Sequence, residues 1–140
     1  MSRVFWDTNL YIYLTEGRSA LAHQVETLRG KMRARGDELL TSTLTLGEVL
    51  VKPLALHDHR LAATYRSGIT ESSTLIPFDV KAANAYALLR SDRSLRAPDA
   101  IQLACAATAG VDLFITNDAR LYSKQVPGIQ FIVPLDRVPI

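Results

Sequence analysis

The sequence predicts an α/β fold in which a parallel sheet is covered by helices on both faces. Short apolar runs suited to strands alternate along the chain with longer segments of helical spacing, and this alternation is typical of such folds. The chain has 140 residues, of which 48% are hydrophobic, and neither a repeat nor a low-complexity linker interrupts it. We therefore expect residues 1–140 to form a single domain.

Two strands, each followed by helices, are predicted in the first half of the chain. A Ser19 cap and apolar residues at helical spacing, among them Val25 and Leu28, indicate a long helix that ends at Gly36. Pro53 is expected to kink or stop the helix that contains it. In chain order, the predicted elements are a strand at Arg3–Trp6, a helix through Leu10–Leu14 that breaks near Gly17, the long helix, a strand at Glu38–Ser42, a helix capped by Thr43 or Thr45, and a helix at His57–Ser67.

Three further strands and two helices are predicted in the second half. Pro77 cannot donate a hydrogen bond within a sheet, so its strand is expected to lie at an edge or to end there. Pro98 lies in the first turn of the last helix, where proline is favoured. The elements are a strand at Thr74–Phe78, a helix capped by Asp79 that runs through Leu89, a helix from Ala97 to Gly110, and strands at Leu113–Thr116 and Ile129–Val133.

The charge, the cysteine content and the lack of long apolar runs bear on the partners and the cellular compartment of the protein. The formal charge of +2 and the isoelectric point near 8.9 are compatible with a nucleic-acid partner without requiring one. Cys105 is the only cysteine, so no internal disulfide can form, as is usual in a reducing compartment. We see no signal peptide and no apolar run of the ~18 residues that a membrane span needs. A cytoplasmic protein without a membrane partner is expected.

Four acidic residues lie where predicted strands end or predicted helices begin. Asp7 and Asp118 each follow a strand, whereas Glu48 and Asp99 lie near helix starts. Because strand ends and helix starts share one rim of a parallel sheet, these carboxylates can meet there. They would repel one another unless a divalent cation neutralised them. The sequence therefore predicts a metal-dependent enzyme.

Each acid also has a purely structural explanation. Asp7 and Asp118 could cap the helices that follow them, and Asp99 would be favoured at the positive end of its helix. Glu48 could be a solvated helix residue. Taken one at a time, these explanations are the stronger ones. It is the placement of all four residues toward one rim that favours the metal site.

The chemistry of such a site suits phosphodiester cleavage. Mg²⁺ and Mn²⁺ prefer oxygen ligands, and an ion held by carboxylates can activate water and stabilise the departing oxygen. A nucleophilic side chain is then unnecessary. The histidines form no triad or zinc site, since His57 and His59 are two residues apart and His23 is distant. Neither of the glycine-rich nucleotide-binding motifs GxGxxG and GxxxxGK[ST] is present.

Four short motifs carry a family resemblance. They are DTN beginning at Asp7, TSTLTLGE ending at Glu48, PDAIQLA containing Asp99, and ITND ending at Asp118. In this order and spacing, the chain resembles PIN-domain ribonucleases, and especially the VapC-type toxins of bacterial and archaeal toxin–antitoxin pairs. The resemblance covers the chain from its first strand to its fourth.

The resemblance implies a Rossmann-like, three-layer α/β/α sandwich with a central parallel sheet. It also implies that the four acids form a Mg²⁺ or Mn²⁺ site, with Asp7 and Asp99 as core ligands and Glu48 close to them. In this family the acid at the position of Asp118 more often contacts the metal ion through a water molecule. Polar residues at two further positions would support the acids or the substrate phosphate. These supporting residues are Thr116 and Asn9.

An arginine-rich segment directly before Asp99 is a candidate for RNA binding. RSDRSLR places Arg90, Arg93 and Arg96 at three-residue spacing, so in a helix they would share one face leading toward the acids. Arginine is geometrically suited to phosphate groups. The alternative is a solvated helix end, with Asp92 partly balancing the charge.

The leading function is a metal-dependent endoribonuclease that serves as the toxin of a toxin–antitoxin pair. The resemblance implies a cognate antitoxin that occludes the acidic site, and a homodimer. Candidate segments for these partners are Leu10–Leu14 and Leu50–Leu56. Two alternatives stay open, a housekeeping PIN-domain nuclease of RNA processing and a non-catalytic RNA-binding module.

Overall fold

Five parallel strands form the central sheet of the computed structural model, which describes residues 1–140. In chain order they are β1 (Arg3–Trp6), β2 (Glu38–Ser42), β3 (Thr74–Ile76), β4 (Val111–Ile115) and β5 (Ile129–Val133). Their order across the sheet is β3-β2-β1-β4-β5. The chain proceeds outward from β1 through β2 to β3 and then crosses to β4 on the other side of β1. A crevice forms where the strand order reverses, at the carboxyl ends of β1 and β4, and α/β proteins bind ligands at such a point.

Six helices cover the sheet. They are α1 (Thr8–Glu16), α2 (Ala20–Arg35), α3 (Thr43–Ala55), α4 (His59–Ser72), α5 (Val80–Leu89) and α6 (Ala97–Ala109), with short 3₁₀ turns at Ala119–Leu121 and Leu135–Arg137. None of the helices has both the length and the apolar character that crossing a bilayer would require.

Alternating side chains of the strands build two hydrophobic cores, one on each face of the sheet. On β1, Trp6 packs into a cluster with residues of α1 and α2, among them Leu10 and Val25. Phe5 points to the opposite face and stacks on Phe114 of β4, with ring centroids 5.1 Å apart. This alternation follows from the two-residue period of a strand. The predicted three-layer α/β/α sandwich with a central parallel sheet is confirmed.

Two proline positions differ in detail from the prediction. The third strand ends at Ile76 rather than Phe78, and it lies at the edge of the sheet as Pro77 indicated. Pro53 lies inside α3 without stopping it at once, since the helix continues to Ala55. Because proline has no N–H, the last turn of α3 lacks one backbone hydrogen bond, and the helix ends at Ala55.

Two further elements, α4 and β4, have boundaries that were predicted wrongly. Helix α4 begins at His59 and not at His57, because His57 has a left-handed φ of 54° and the Asp58 side chain caps the helix by accepting a hydrogen bond from the Leu61 N–H. Its end, predicted at Ser67, lies at Ser72. Strand β4 begins two residues earlier than predicted, where it pairs with the first residue of β5.

Candidate active site

Asp7 lies directly beyond β1, at the start of α1, with only 8% of its surface exposed. Its Oδ1 atom accepts hydrogen bonds from the Thr8 N–H at 2.8 Å and from Gln102 Nε2 at 3.2 Å. Its Oδ2 atom accepts one from the Thr116 hydroxyl at 2.7 Å. All three donors are neutral, so this buried carboxylate has no positively charged side chain bonded to it.

Asp118 follows β4 and Asp99 lies in the first turn of α6, and both line the same hollow as Asp7. Arg120 makes a two-pronged ion pair with Asp118, in which Nε lies 2.9 Å from Oδ1 and Nη2 lies 2.5 Å from Oδ2. Arg96 Nε donates to Asp99 Oδ2 at 3.3 Å. These two acids are therefore already paired with cationic side chains.

Glu48 is presented by α3 and is held by a neutral contact. Its Oε1 atom accepts a hydrogen bond from the Thr8 hydroxyl at 2.7 Å. The same hydroxyl accepts a hydrogen bond from Gln102 Nε2 at 2.9 Å, which links Glu48 to the network around Asp7.

The four predicted acids line one open hollow of about 470 Å³, so the structure brings four distant segments of the chain together. No three carboxylate, imidazole or thiolate groups converge there as a ready set of metal ligands. Asp99 and Asp118 are instead paired with arginines, and Glu48 accepts from the Thr8 hydroxyl. The other residues that line the hollow are Thr8, Asn9, Ile12, Arg96, Pro98 and Gln102.

The donor set of the hollow fits a hard divalent cation. All of its acidic groups are oxygen donors, which Mg²⁺ and Mn²⁺ prefer, and neither histidine nor cysteine lines it. Asp7 supplies a second argument, because its carboxylate is buried without a bonded cation and lies close enough to Asp99 to be repelled by it. Burying an unpaired charge is costly, and a cation between the two carboxylates would offset that cost.

The electrostatic environment differs between the two walls of the hollow. Burial raises the pKa of Asp7, the hydrogen bonds from Thr116 and Thr8 lower it, and the charge of Asp99 adds to the rise. The hydrogen bond from Arg120 holds the pKa of Asp118 below its ordinary value. The hollow therefore has a cation-poor wall around Asp7 and a cation-paired wall around Asp118.

The structural explanations for the acids also hold in part. Asp7 caps α1 through the Thr8 N–H, and Asp118 accepts from the Arg120 N–H at the 3₁₀ turn. Asp79 caps α5 through the Ala82 N–H, as expected, and does not line the hollow. Capping and lining the hollow are compatible roles, because the crevice is formed where helices begin.

The two supporting residues named from the sequence lie beside Asp7. Thr116 is fully buried, and its hydroxyl donates to Asp7 while it accepts from the Asp118 N–H at 3.1 Å. Asn9 Nδ2 donates to the Thr116 hydroxyl at 3.4 Å. Thr116 thereby connects the two acids that follow β1 and β4.

Gln102 is a residue of the site that the sequence reasoning missed. It is buried in α6, donates to Asp7, Thr8 and Thr45, and accepts a hydrogen bond from the Ser42 hydroxyl through Oε1. The sequence did contain one indication of this role, a single amide in the otherwise apolar run AIQLACAA, three residues after Asp99. A buried amide needs polar partners, and on this face of α6 they could come only from the neighbouring elements that the helix packs against.

The arginine-rich segment is not helical, and this corrects the expectation of a shared helix face. Helix α5 ends at Leu89, and Arg90 and Arg93 lie in the turns before α6. Arg90 contacts the Tyr86 side chain, with Nη1 2.9 Å from the hydroxyl. Of the three arginines only Arg96 lines the hollow. Asp92 and Ser94 form a local turn that prevents the helix from continuing.

The two segments predicted as partner surfaces differ in exposure. Leu10 is buried in the core, and Leu14 lines a second hollow of about 340 Å³ between α1, α2 and α4. At the end of α3 and just beyond it, Val51 and Leu56 are 65% and 69% exposed. An apolar surface near the acidic hollow is therefore present on α3, whereas most of the first segment belongs to the core.

Comparisons with known proteins show the family and the fold. The family model of the PIN domain matches residues 4–126. VapBC from Salmonella typhimurium bound to DNA is similar in structure, with a TM-score of 0.73, 20% identity, and coverage of 96% of this chain and 99% of that chain. VapBC2 from Rickettsia felis bound to a promoter fragment has a TM-score of 0.70, 14% identity, and coverage of 94% and 98%.

A third solved structure extends the comparison to a mycobacterial protein. VapBC-5 from Mycobacterium tuberculosis, a member of the VapBC family of toxin–antitoxin systems, has a TM-score of 0.63 and 20% identity, and 94% of this chain and 98% of that chain are covered. No curated protein sequence gave a significant match. At these identities, the structural similarity shows a shared fold.

Proposed function

We propose that this chain, which belongs to the PIN-domain family, is a metal-dependent endoribonuclease and the toxin of a toxin–antitoxin pair. The observation that carries the proposal is that Asp7, Glu48, Asp99 and Asp118 all line one hollow at the carboxyl ends of β1 and β4. The similarity to solved VapBC structures supports the choice of a toxin among PIN-domain nucleases.

The four acids would hold Mg²⁺ or Mn²⁺, with Asp7 and Asp99 as the central ligands. A bound divalent cation supplies an activated water and offsets the charge on a phosphodiester. The chain itself orients the ligands. The Thr116 hydroxyl and the Gln102 amide fix both oxygens of Asp7, as outer partners of metal ligands commonly do.

RNA phosphates would approach the hollow from the side of the arginine-rich segment. Arg96 lines the hollow, and Arg93 is exposed in the neighbouring turn. Arg90 is also exposed, although its side chain bonds Tyr86. We assign the three arginines to phosphate contacts, with Arg96 nearest to the reacting group.

A cognate antitoxin is the partner that this proposal adds. The hollow between α1, α2 and α4 is lined largely by apolar and aromatic groups, including Leu14, Tyr65 and Ile69, and is suited to an apolar side chain of that partner. The proposal also assigns the protein to the cytoplasm, where RNA is available as substrate and where a free thiol such as that of Cys105 stays reduced.

Cleavage is expected to depend on a divalent ion. Purified protein is incubated with total RNA in Mg²⁺, in Mn²⁺ and in excess chelator, and the cut ends are mapped by sequencing. We expect defined ends with either ion and intact RNA with the chelator, because the carboxylates alone supply no nucleophile. RNA binding that the chelator leaves unchanged, with no cleavage in Mn²⁺, would instead support the non-catalytic binding module.

The exposed apolar residues of α3 are expected to form a homodimer. Val51→Glu places a charge on this surface and should convert a dimer to a monomer, as measured by size exclusion with light scattering. Leu88→Glu is the matched control, because Leu88 is 78% exposed on α5 and should leave the dimer intact. A wild-type protein that stays monomeric at high concentration would contradict the proposed interface.

A further inference from the structure

We propose that Arg96 and Arg120 form a cationic clamp that competes with the divalent ion for Asp99 and Asp118 and then, once displaced, binds the RNA phosphate. The inference rests on the proposed function, since it concerns the same hollow. It assigns a role to Arg120, which no motif indicated, and a second role to Arg96.

The two arginines cross-link the two acids. Arg120 Nη2 lies 2.5 Å from Asp118 Oδ2 and 3.9 Å from Asp99 Oδ2. Arg96 makes the converse pair of contacts, with Nε 3.3 Å from Asp99 Oδ2 and Nη2 3.9 Å from Asp118 Oδ2. Each guanidinium thus faces the same two oxygen atoms, and these four side chains form one charged cluster.

The clamp occupies only one wall of the hollow. Asp7 and Glu48 are held by hydroxyl, amide and backbone donors, which leave lone pairs of their oxygens free for an ion. The Oδ2 atoms of Asp99 and Asp118, in contrast, are directed at guanidiniums. An ion that binds these two Oδ2 atoms through the lone pairs now used must displace the guanidiniums, because a guanidinium and a metal ion cannot both bind the same lone pair.

Release of the clamp should need little free energy. The side chains of Arg96 and Arg120 are 61% and 55% exposed, so both can swing into solvent without opening the core. Ion pairs with exposed members are weak and contribute little to stability. Once released, each guanidinium stays at the mouth of the hollow, where a phosphate can replace the carboxylate in its fork.

The local backbone lets the clamp be removed without disturbing Asp118. The Arg120 N–H donates to Asp118 Oδ1 at 3.1 Å, and this bond does not involve the side chain. Arg120→Ala should therefore keep the 3₁₀ turn and the position of Asp118 while removing the competing charge. Arg66→Ala is the matched control, because Arg66 is exposed on α4, lies outside the hollow and makes no ion pair with the acids.

Calorimetric titration with Mn²⁺ tests the competition without measuring cleavage. We expect Arg120→Ala to bind Mn²⁺ about two- to fivefold more tightly than the wild type, the range expected for losing an exposed ion pair. The Mn²⁺ affinity of Arg96→Ala should change in the same direction, and that of Arg66→Ala should match the wild type. A separate measurement of RNA affinity should show weaker binding by Arg120→Lys than by the wild type. Lysine keeps the positive charge but cannot bind a phosphate through two parallel N–H groups.

The second half of the proposal is tested by RNA affinity. Fluorescence anisotropy with a phosphorothioate RNA that resists cleavage, in the presence of Mn²⁺, should show about tenfold weaker binding by Arg120→Ala. Unchanged or weaker Mn²⁺ affinity of Arg120→Ala, with normal Mn²⁺ binding by the wild type, would overturn the clamp alone. A wild-type protein that binds no Mn²⁺ would overturn the proposed function as well.

Discussion

Asp7→Asn is expected to reduce RNA cleavage at least about 100-fold, because it removes a charged ligand from the centre of the proposed metal site. Changing an outer partner of a metal ligand typically costs about 10- to 100-fold in metal affinity or activity, so losing the ligand itself should reach the upper end or exceed it. The variant should also lose the rise in melting temperature that Mn²⁺ produces in the wild type, since a ligand stabilises only the state that binds it.

The fold should survive this substitution. Asparagine keeps the oxygen that accepts from the Thr8 N–H and Gln102, so α1 stays capped. The Thr116 hydroxyl can turn to accept from the new amide. The matched control is Asp79→Asn, which changes an acidic helix cap outside the hollow and should leave cleavage and Mn²⁺ stabilisation unaltered. Wild-type activity in Asp7→Asn would show that Asp7 serves only as a helix cap.

Gln102→Leu is expected to destabilise the protein by about 1–3 kcal/mol and to weaken Mn²⁺ binding about 10- to 100-fold. Leucine has a similar volume but cannot bond Asp7, Thr8 or Thr45, and it leaves the buried Ser42 hydroxyl without its acceptor. The destabilisation follows from unpaired buried polar groups, and the weaker binding follows from a less constrained Asp7.

Two measurements separate these effects. Urea denaturation in chelator gives the loss of stability alone, and calorimetric Mn²⁺ titration of the folded protein gives the loss of affinity. Gln130→Leu is the matched control, because Gln130 is exposed on β5 and should change neither quantity by much. A Gln102→Leu protein that keeps wild-type Mn²⁺ affinity would show that Gln102 is a core residue without a part in the site.

Much of the fold follows from local patterns in the sequence. Each strand was identifiable from a short apolar run, and caps such as Ser19 and the C-terminal Gly36 marked helix ends that the structure shares. The boundaries that differed depend on single residues in unusual environments. The left-handed backbone at His57 and the proline in the last turn of α3 are set by the packing of the surrounding turns, which a linear pattern does not contain.

The acids of the site were predictable because topology alone places strand ends and helix starts at one rim. Their partners were not. Gln102 acts through contacts with residues 57 to 95 positions away, and Arg120 pairs with Asp99 across two elements. Such contacts depend on side-chain directions that become fixed only in the folded state. The arginine-rich segment shows the same limit, since three-residue spacing suggested a helix that a turn at Asp92 prevents.

A manganese-soaked crystal tests the central claim most directly. The claim predicts an anomalous density peak in the hollow, within coordination distance of Asp7 and Asp99, with the Arg120 side chain turned away from Asp118. Crystals that bind manganese elsewhere on the protein but show no peak in the hollow, with Arg120 still paired to Asp118, would contradict it.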